Sequence, residues 1–458
     1  MLDSRLPGSF RDPNGFVFRK DGVIYRQVND RYAENYDLLM SSGLYERLTG
    51  KGWLIPHSEV DLALAQGDGA FKVIRPQPVS FISYPYEWSF SQLKDAALLT
   101  LKIQRAALKR GMILKDASAY NIQFMNGKPV FIDTLSFEKY EEGQPWVAYR
   151  QFCQHFLAPL ALAYYKDVRL LGLSRLHIDG VPLDLAASLL PKRSWLKMGV
   201  ALHIRLHSRG QTRYADDTSS QEKQHGLSRK SLDNIVSNLY ETLKGLKWRA
   251  NTTEWAEYYQ GDSYDNAGLE HKKELVQRYV AQVKPQTVWD LGANTGLHSR
   301  LASSQGIDTI AWDIDPGAVE INYRQIKADK EQNILPLVLD LTNPSPAMGW
   351  ANSERESFAE RSNADLIFAL ALIHHLAISN NVPLPDVASF MSQLSEWLII
   401  EFVPKEDHKV KKLLATREDI FPTYTKEGFE AAFSTHFKIE QVGQVQNTER
   451  LLYLLRRL

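Results

Sequence analysis

The chain has 458 residues, 44% of them hydrophobic and 24% charged, an ordinary globular balance that excludes a disordered or fibrous protein. At roughly 100–200 residues per domain it is too long for one core, and two to four domains are expected. Lys plus Arg and Asp plus Glu each number 54, which makes no case for a nucleic-acid binder, and a single cysteine, Cys153, excludes a disulfide scaffold or a cysteine-based zinc site.

The opening residues, MLDSRLPGSFRDPNG, lack the charged-then-apolar layout of a signal peptide. The longest apolar run, Phe156 to Tyr165, has ten residues and contains Pro159, too short to span a bilayer. A cytoplasmic protein is therefore expected.

Residues 1–190 read as an α+β domain. GFVFRKDGVIYRQV alternates as two strands around Lys20-Asp21-Gly22, which predicts a hairpin. YAENYDLLMSSGLYERLTGKG predicts a helix and SQLKDAALLTLKIQRAALKRGM a longer one. In the segment Lys115 to Phe137, Asp116 is followed after four residues by Asn121, and Asp133 ends a strand. That D-x-x-x-x-N…D spacing belongs to kinase catalytic and metal loops, where the first Asp orients a hydroxyl and the Asn and second Asp hold magnesium. The region therefore resembles a protein-kinase-like or aminoglycoside-phosphotransferase-like fold, with a hinge near SYPYEWS (Ser83 to Ser89). The resemblance departs in three ways. Lys115 stands in an unusual context, no glycine-rich phosphate loop is visible, and no V-A-I-K lysine stands out. Arg26 with Glu34 is the one candidate for the kinase lysine–glutamate pair. Inactivity in phosphoryl transfer is expected, leaving this domain to handle the acceptor.

Residues 191–250 read as a basic helical segment and linker. Twelve Lys/Arg against five Asp/Glu give this stretch +7, so the rest of the chain carries −7. Lys192 to Arg209 predicts an amphipathic helix, either packed on a neighbour or touching an anionic membrane surface. Gly210 to Lys230 is polar without apolar periodicity and predicts a linker.

From Thr287, five apolar runs (TVWDLG, TIAWDID, ILPLVLDL, ADLIFALAL, EWLIIEFV) alternate with helix-length intervals, predicting a doubly wound parallel sheet over 251–458. FKIEQVGQVQ and RLLYLLRRL follow, separated only by Asn447, Thr448 and Glu449. Such a pair predicts a hairpin with an antiparallel last strand. VWDLGANTG places a glycine-rich turn after the first run, where the backbone must approach a ligand closely. Asp290 stands two residues before its first glycine, a charge that a pyrophosphate site does not use. Asp313 ends the second run, placed to accept ribose hydroxyls, and Asp340 ends the third, placed near an adenine amine.

Three acids on successive strand ends around such a turn suit an adenosine with a cationic tail, and this half resembles the class I SAM-dependent methyltransferases. The resemblance implies S-adenosyl-L-methionine as cofactor, held by Asp290, Gly292, Asn294, Gly296, Asp313 and Asp340, with Asn294 departing from the usual middle glycine. ALALIHHLAISNNVPL and EFVPKEDHKVKKLL further resemble a bacterial subfamily that includes methyltransferase-like nodulation proteins. His374 and His375, after the fourth run, are candidate bases for a hydroxyl acceptor. The absence of an N/D-P-P-Y/F tetrapeptide there argues against base or amide methylation. Tyr258, Tyr259 and Tyr264 are candidates to cover the sulfonium, with Tyr259 placed among the cofactor residues. Arg355, in the turn-rich stretch Asn343 to Arg355, is a candidate for an anionic acceptor. No metal is required, and the acceptor is expected to be a small molecule or glycan rather than nucleic acid. The alternatives are a bifunctional kinase–methyltransferase and a non-catalytic SAM-binding protein.

Overall fold

The computed structural model describes residues 4–206, 228–249, 265–415 and 417–458. The chain divides into two compact units, Met1–Arg249 with Ala347–Arg355 and Ala250–Pro346 with Glu356–Leu458.

The first unit begins with a five-stranded antiparallel sheet. Its strands are β1 (Ser4–Arg5), β2 (Gly15–Lys20), β3 (Val23–Asn29), β4 (His57–Val60) and β5 (Ala70–Pro76), in the order β1-β2-β3-β5-β4. The expected hairpin joins β2 to β3. Asp21 (φ 50°) and Gly22 (φ 78°) are both left-handed, as a two-residue turn between right-twisted strands requires. The single helix expected after it is two, α1 (Ala33–Ser41) and α2 (Leu44–Gly50). Gly43 breaks it by taking φ 69°.

The longer helix, α3 (Phe90–Leu108), starts at a capping box in which Ser89 and Gln92 satisfy each other's backbone N–H groups. Beyond it, β6 (Met112–Leu114) pairs with β9 (Phe137–Lys139), and β7 (Ile122–Met125) with β8 (Lys128–Phe131). Helix α4 (Arg229–Gly245) packs on α3, tied by Arg105 Nε to Asp233 Oδ1 at 3.1 Å. The described residues of 191–249 thus lie within the first unit. Over the described residues 192–206, the single amphipathic helix expected for 192–209 does not form. A 3₁₀ turn (Lys192–Leu196), one α-turn (Met198–Val200) and a π-helical stretch (Ala201–Leu206) replace it.

The second unit carries the expected mostly parallel seven-stranded sheet. Its strands are β10 (Thr287–Leu291), β11 (Asp308–Asp313), β12 (Ile334–Val338), β13 (Ala364–Ala369), β14 (Ser395–Phe402), β15 (Phe437–Gln444) and β16 (Leu451–Arg457). They run in the order β12-β11-β10-β13-β14-β16-β15, with β16 antiparallel to both of its neighbours. The central runs are apolar throughout because covered parallel strands bury both faces, as Val288, Trp289, Leu366 and Ile367 do. Helix α5 (Asn266–Val283) precedes β10 and packs Leu275, Val276 and Tyr279 into the core. Strand order reverses at β10, which pairs β11 on one side and β13 on the other, so the ligand crevice lies at its carboxyl end. Among the described residues no helix is long and apolar enough to cross a membrane.

Candidate active site

The turn leaving β10 is left-handed at three of five residues: Gly292 (φ 81°), Asn294 (φ 53°) and Gly296 (φ 82°). Asparagine is among the few side-chain-bearing residues that adopt this conformation readily, so Asn294 can stand where the motif has its middle glycine. At Gly296 (φ 82°) a Cβ would lie 2.5 Å from Asn322 Nδ2 and 2.6 Å from Arg300 NH1, so both side chains would have to shift to admit one.

The turn is stitched to β11. Gly292 and Ala293 both donate their N–H to the Trp312 carbonyl, and Asn294 N donates to Asp313 Oδ2 at 2.7 Å. Asp313 Oδ1 accepts from Asp315 N at 2.8 Å. The carboxylate is buried, and desolvation raises its pKa to about 6 against the lowering effect of those N–H groups. Asp290 is also buried and accepts from Ser299 Oγ at 2.6 Å. Desolvation lifts it to about 7, with Ser299 and Lys272 pulling the other way. Asp340 lies two residues past β12 and accepts from Thr342 N and Oγ1 at 2.9 and 2.6 Å. Its carboxylate therefore builds a local turn.

At the end of β13, Ala371 is left-handed (φ 51°) and its N–H donates to Glu401 Oε2 at 2.8 Å. The same oxygen accepts from Lys272 Nζ at 2.7 Å, and Glu401 Oε1 lies 3.6 Å from Arg450 NH1. Arg450 Nε in turn bonds Asp407 Oδ2 at 2.8 Å. Lys272, Glu401 and Arg450 are all buried. Sequence reading misses this network. Glu401 does stand out as an acid inside an apolar run, but its partner Lys272 is 129 residues away.

The two histidines separate at this point. His374 is 0% exposed, and neither ring nitrogen has a hydrogen-bond partner. Burial, then His375 and Arg450, hold its pKa well below the usual range. A base has to reach the proton it removes, and His374 as it stands is a buried, neutral ring. His375 is half-buried, and desolvation lowers its pKa to about 4. Tyr258, Tyr259 and Tyr264 lie outside the described residues.

In the first unit the kinase-spaced residues come together. Asp133 accepts from Leu135 N at 2.9 Å and from Ser136 Oγ at 2.5 Å, while Asn121 Nδ2 donates to that Ser136 Oγ at 3.2 Å. Asp116 accepts from Ser118 N at 2.9 Å, and burial, with Asp133 nearby, raises its pKa. The expected pairing of Arg26 with Glu34 is absent. Glu34 is exposed beside Lys139, at 3.8 Å, because it lies on the outer face of α1. Arg26, on β3, instead pairs with Asp133 Oδ1 at 2.6 Å and reaches Asp12 at 3.4 Å. Lys115 Nζ lies 3.6 Å from Asp12.

Arg355 belongs to this unit too. Its guanidinium stacks over Tyr120, 4.2 Å from the ring centroid, while Arg11 grips the neighbouring Glu354 through two bonds of 2.8 and 2.7 Å. Arg355, a candidate for an anionic acceptor, thus has its guanidinium stacked on an aromatic ring.

No family model matches the chain. It is 36% identical to the nodulation protein NoeA of Rhizobium meliloti (strain 1021) over 461 aligned residues, covering 99% of this chain and 96% of that protein. The chain belongs to the NoeA family. Among solved structures it is similar to the magnesium protoporphyrin IX methyltransferase ChlM of Synechocystis PCC 6803 with bound SAH (16% identity, 45% of this chain and 96% of that one, TM-score 0.32). It is also similar to the N-methyltransferase NodS of Bradyrhizobium japonicum WM9 (14% identity, 42% and 98%, TM-score 0.32) and the bifunctional kinase-methyltransferase WbdD (13% identity, 44% and 42%, TM-score 0.30). The class I fold of this member of the NoeA family rests on its own strand order.

Removing one partner of a buried ion pair leaves an uncompensated charge. Lys272→Met should therefore cost about 3–5 kcal/mol of stability, and Lys272→Met with Glu401→Gln less than the sum of the two singles. Urea unfolding of the full chain measures both.

Proposed function

We propose that the second unit is a methyltransferase using S-adenosylmethionine and that the first unit handles the acceptor. The observation that carries this is the left-handed turn after β10 stitched to the buried carboxylate Asp313 at the crevice of a reversing parallel sheet. The residues present fit the cofactor. Asp313 accepts from Asn294 N on Oδ2 and from Asp315 N on Oδ1, with the Ile314 N–H also acting on the carboxylate, and its remaining lone pairs would take the two ribose hydroxyls. Gly292 and Gly296 keep side chains off the loop, and Asp290 supplies negative potential beside a cationic tail. Asp340 would lie on the adenine side. When bound, the cofactor supplies a methyl group on a sulfonium with a good leaving group.

The chain's own task is then orientation, which is worth up to roughly 7–11 kcal/mol of a barrier. Of the histidine pair, His375 is the one able to meet an acceptor. With a pKa of about 4 it is unprotonated at neutrality and a weak base, suited to accepting a hydrogen bond from a hydroxyl. We take the acceptor to be a small molecule or glycan. Incubation with labelled S-adenosylmethionine and lysate fractions of small molecules, glycans, proteins and RNA tests this, and no labelled product in any fraction would leave only a cofactor-binding protein.

The first unit supports a kinase-like reading without phosphoryl transfer. A sheet followed by Asp116, Asn121 and Asp133 in one cluster matches the lower half of a kinase site, and Arg26 stands on the third strand, where kinases carry their phosphate-binding lysine. That arginine is spent on Asp133, the acid that would hold magnesium.

Asp313→Ala should weaken cofactor binding by about 1.5–3 kcal/mol, read by calorimetry, because the ribose hydroxyls lose a charged acceptor. Binding should also depend on pH. The ionised form of Asp313 is the one that accepts hydrogen bonds, and its pKa is about 6. Affinity should therefore level off only above about pH 8, where Asp290 (pKa about 7) is ionised as well, and fall at least tenfold by one unit below the Asp313 pKa. Magnesium-ATP should not raise the melting temperature of the wild type. A rise of several degrees that Asp133→Ala abolishes would establish a nucleotide site instead.

A further inference from the structure

One surface of the first unit has no part in the chemistry above. From Leu185 to Leu206 the chain carries Lys192, Arg193, Lys197 and Arg205 and no Asp or Glu, a local charge of +4. The backbone here is fixed from inside. Ser194, Val200, His203 and Ile204 are buried, and His203 bonds Tyr149 OH at 2.5 Å and Asn238 Oδ1 at 2.8 Å. The other side faces solvent. Leu196 is 86% exposed, Met198 79% and Leu202 40%. The first two are the most exposed large hydrophobic residues among those described, and Lys197 stands between them. Lys192 and Arg193 are also exposed, Arg193 with one nitrogen bonded to the Tyr165 carbonyl at 2.8 Å.

We propose that this turn is a contact for an anionic membrane surface. Isolated exposed apolar side chains are normal, but two of the most exposed, on either side of one lysine on a turn held from inside, are costly to leave in water. A protein partner fits poorly, because the centres of protein interfaces are depleted in lysine and here a lysine sits between the two apolar tips. A lipid surface accommodates both: Leu196 and Met198 enter the boundary between headgroups and acyl chains, while Lys192 and Lys197 stay at the level of the phosphates. The short helical pieces, rather than one long amphipathic helix, make this a two-residue apolar tip with a basic collar.

The test is co-sedimentation of the full chain with phosphatidylcholine vesicles, with and without phosphatidylserine. The wild type should pellet with the anionic vesicles at low salt, hardly at all with neutral ones, and progressively less as salt rises. Leu196→Ser with Met198→Ser should lower the vesicle partition coefficient about tenfold or more, and Lys192→Glu with Lys197→Glu by a similar factor. All four side chains are exposed, so the melting temperatures should match the wild type and confirm folding. Absence of pelleting with anionic vesicles at low salt would overturn the proposal, as would equal pelleting of wild type and both variants. Concentration-dependent self-association that the Leu196/Met198 variant abolishes, without vesicle binding, would also overturn it and assign the patch to a second copy.

Discussion

The second unit is organised around the carboxylate of Glu401. It sits fully buried near the end of β14 and is held by a cation from α5, a cation just before β16 and a backbone N–H from the exit of β13. A charge in that position is tolerated only if it is paired and its lone pairs are satisfied. The requirement runs both ways. Lys272 and Arg450 are as buried as Glu401, so none of the three elements can shift without stranding a charge. The left-handed Ala371 is strained for a residue with a Cβ, and its bond to Glu401 compensates that strain.

The same economy operates at β10 and β11. Asp290 and Asp313 are buried carboxylates with raised pKa values, a costly arrangement in a protein that needed only a folded sheet. Ser299 and two backbone N–H groups recover part of the cost. The remainder is what a ligand's donors can recover on binding, which is why such residues cluster at the crevice of a reversing sheet and not along its edges.

How far the sequence reveals this depends on the range of the interaction. Strand identity is local: an apolar run such as VWDL or LIFA is legible because both faces of a covered parallel strand are buried. The turn is legible too, since glycine spacing reports a backbone conformation, and Asn294 is consistent with it for a stated steric reason. The three-way grip on Glu401 is not legible, because nothing near residue 401 indicates position 272 or 450. His374 misleads for a related reason. Its neighbour His375 shares the segment but only one of them is half-exposed, and a π-helical turn starting at His375 decides which. The segment from Lys192 misleads through periodicity. Its inward positions do recur, but they include Ser194 and His203, and the backbone follows their local bonds and not one continuous helix.

In the first unit a motif's spacing and its chemistry rest on different constraints. Asp116, Asn121 and Asp133 keep their intervals because those intervals are set by a loop, the β7–β8 hairpin and the short turn that Asp133 caps through Leu135 N. That frame is a folding requirement, and it persists whether or not a nucleotide binds. Activity would need more: an uncommitted carboxylate for the metal and an uncommitted cation for the phosphates. Arg26 and Asp133 satisfy each other at 2.6 Å, with Asp12 in reach of both Arg26 and Lys115. Any incoming phosphate would have to displace a carboxylate from Arg26, and any metal a guanidinium from Asp133. On the reading proposed above, each exchange gives up a charge-assisted contact to form another.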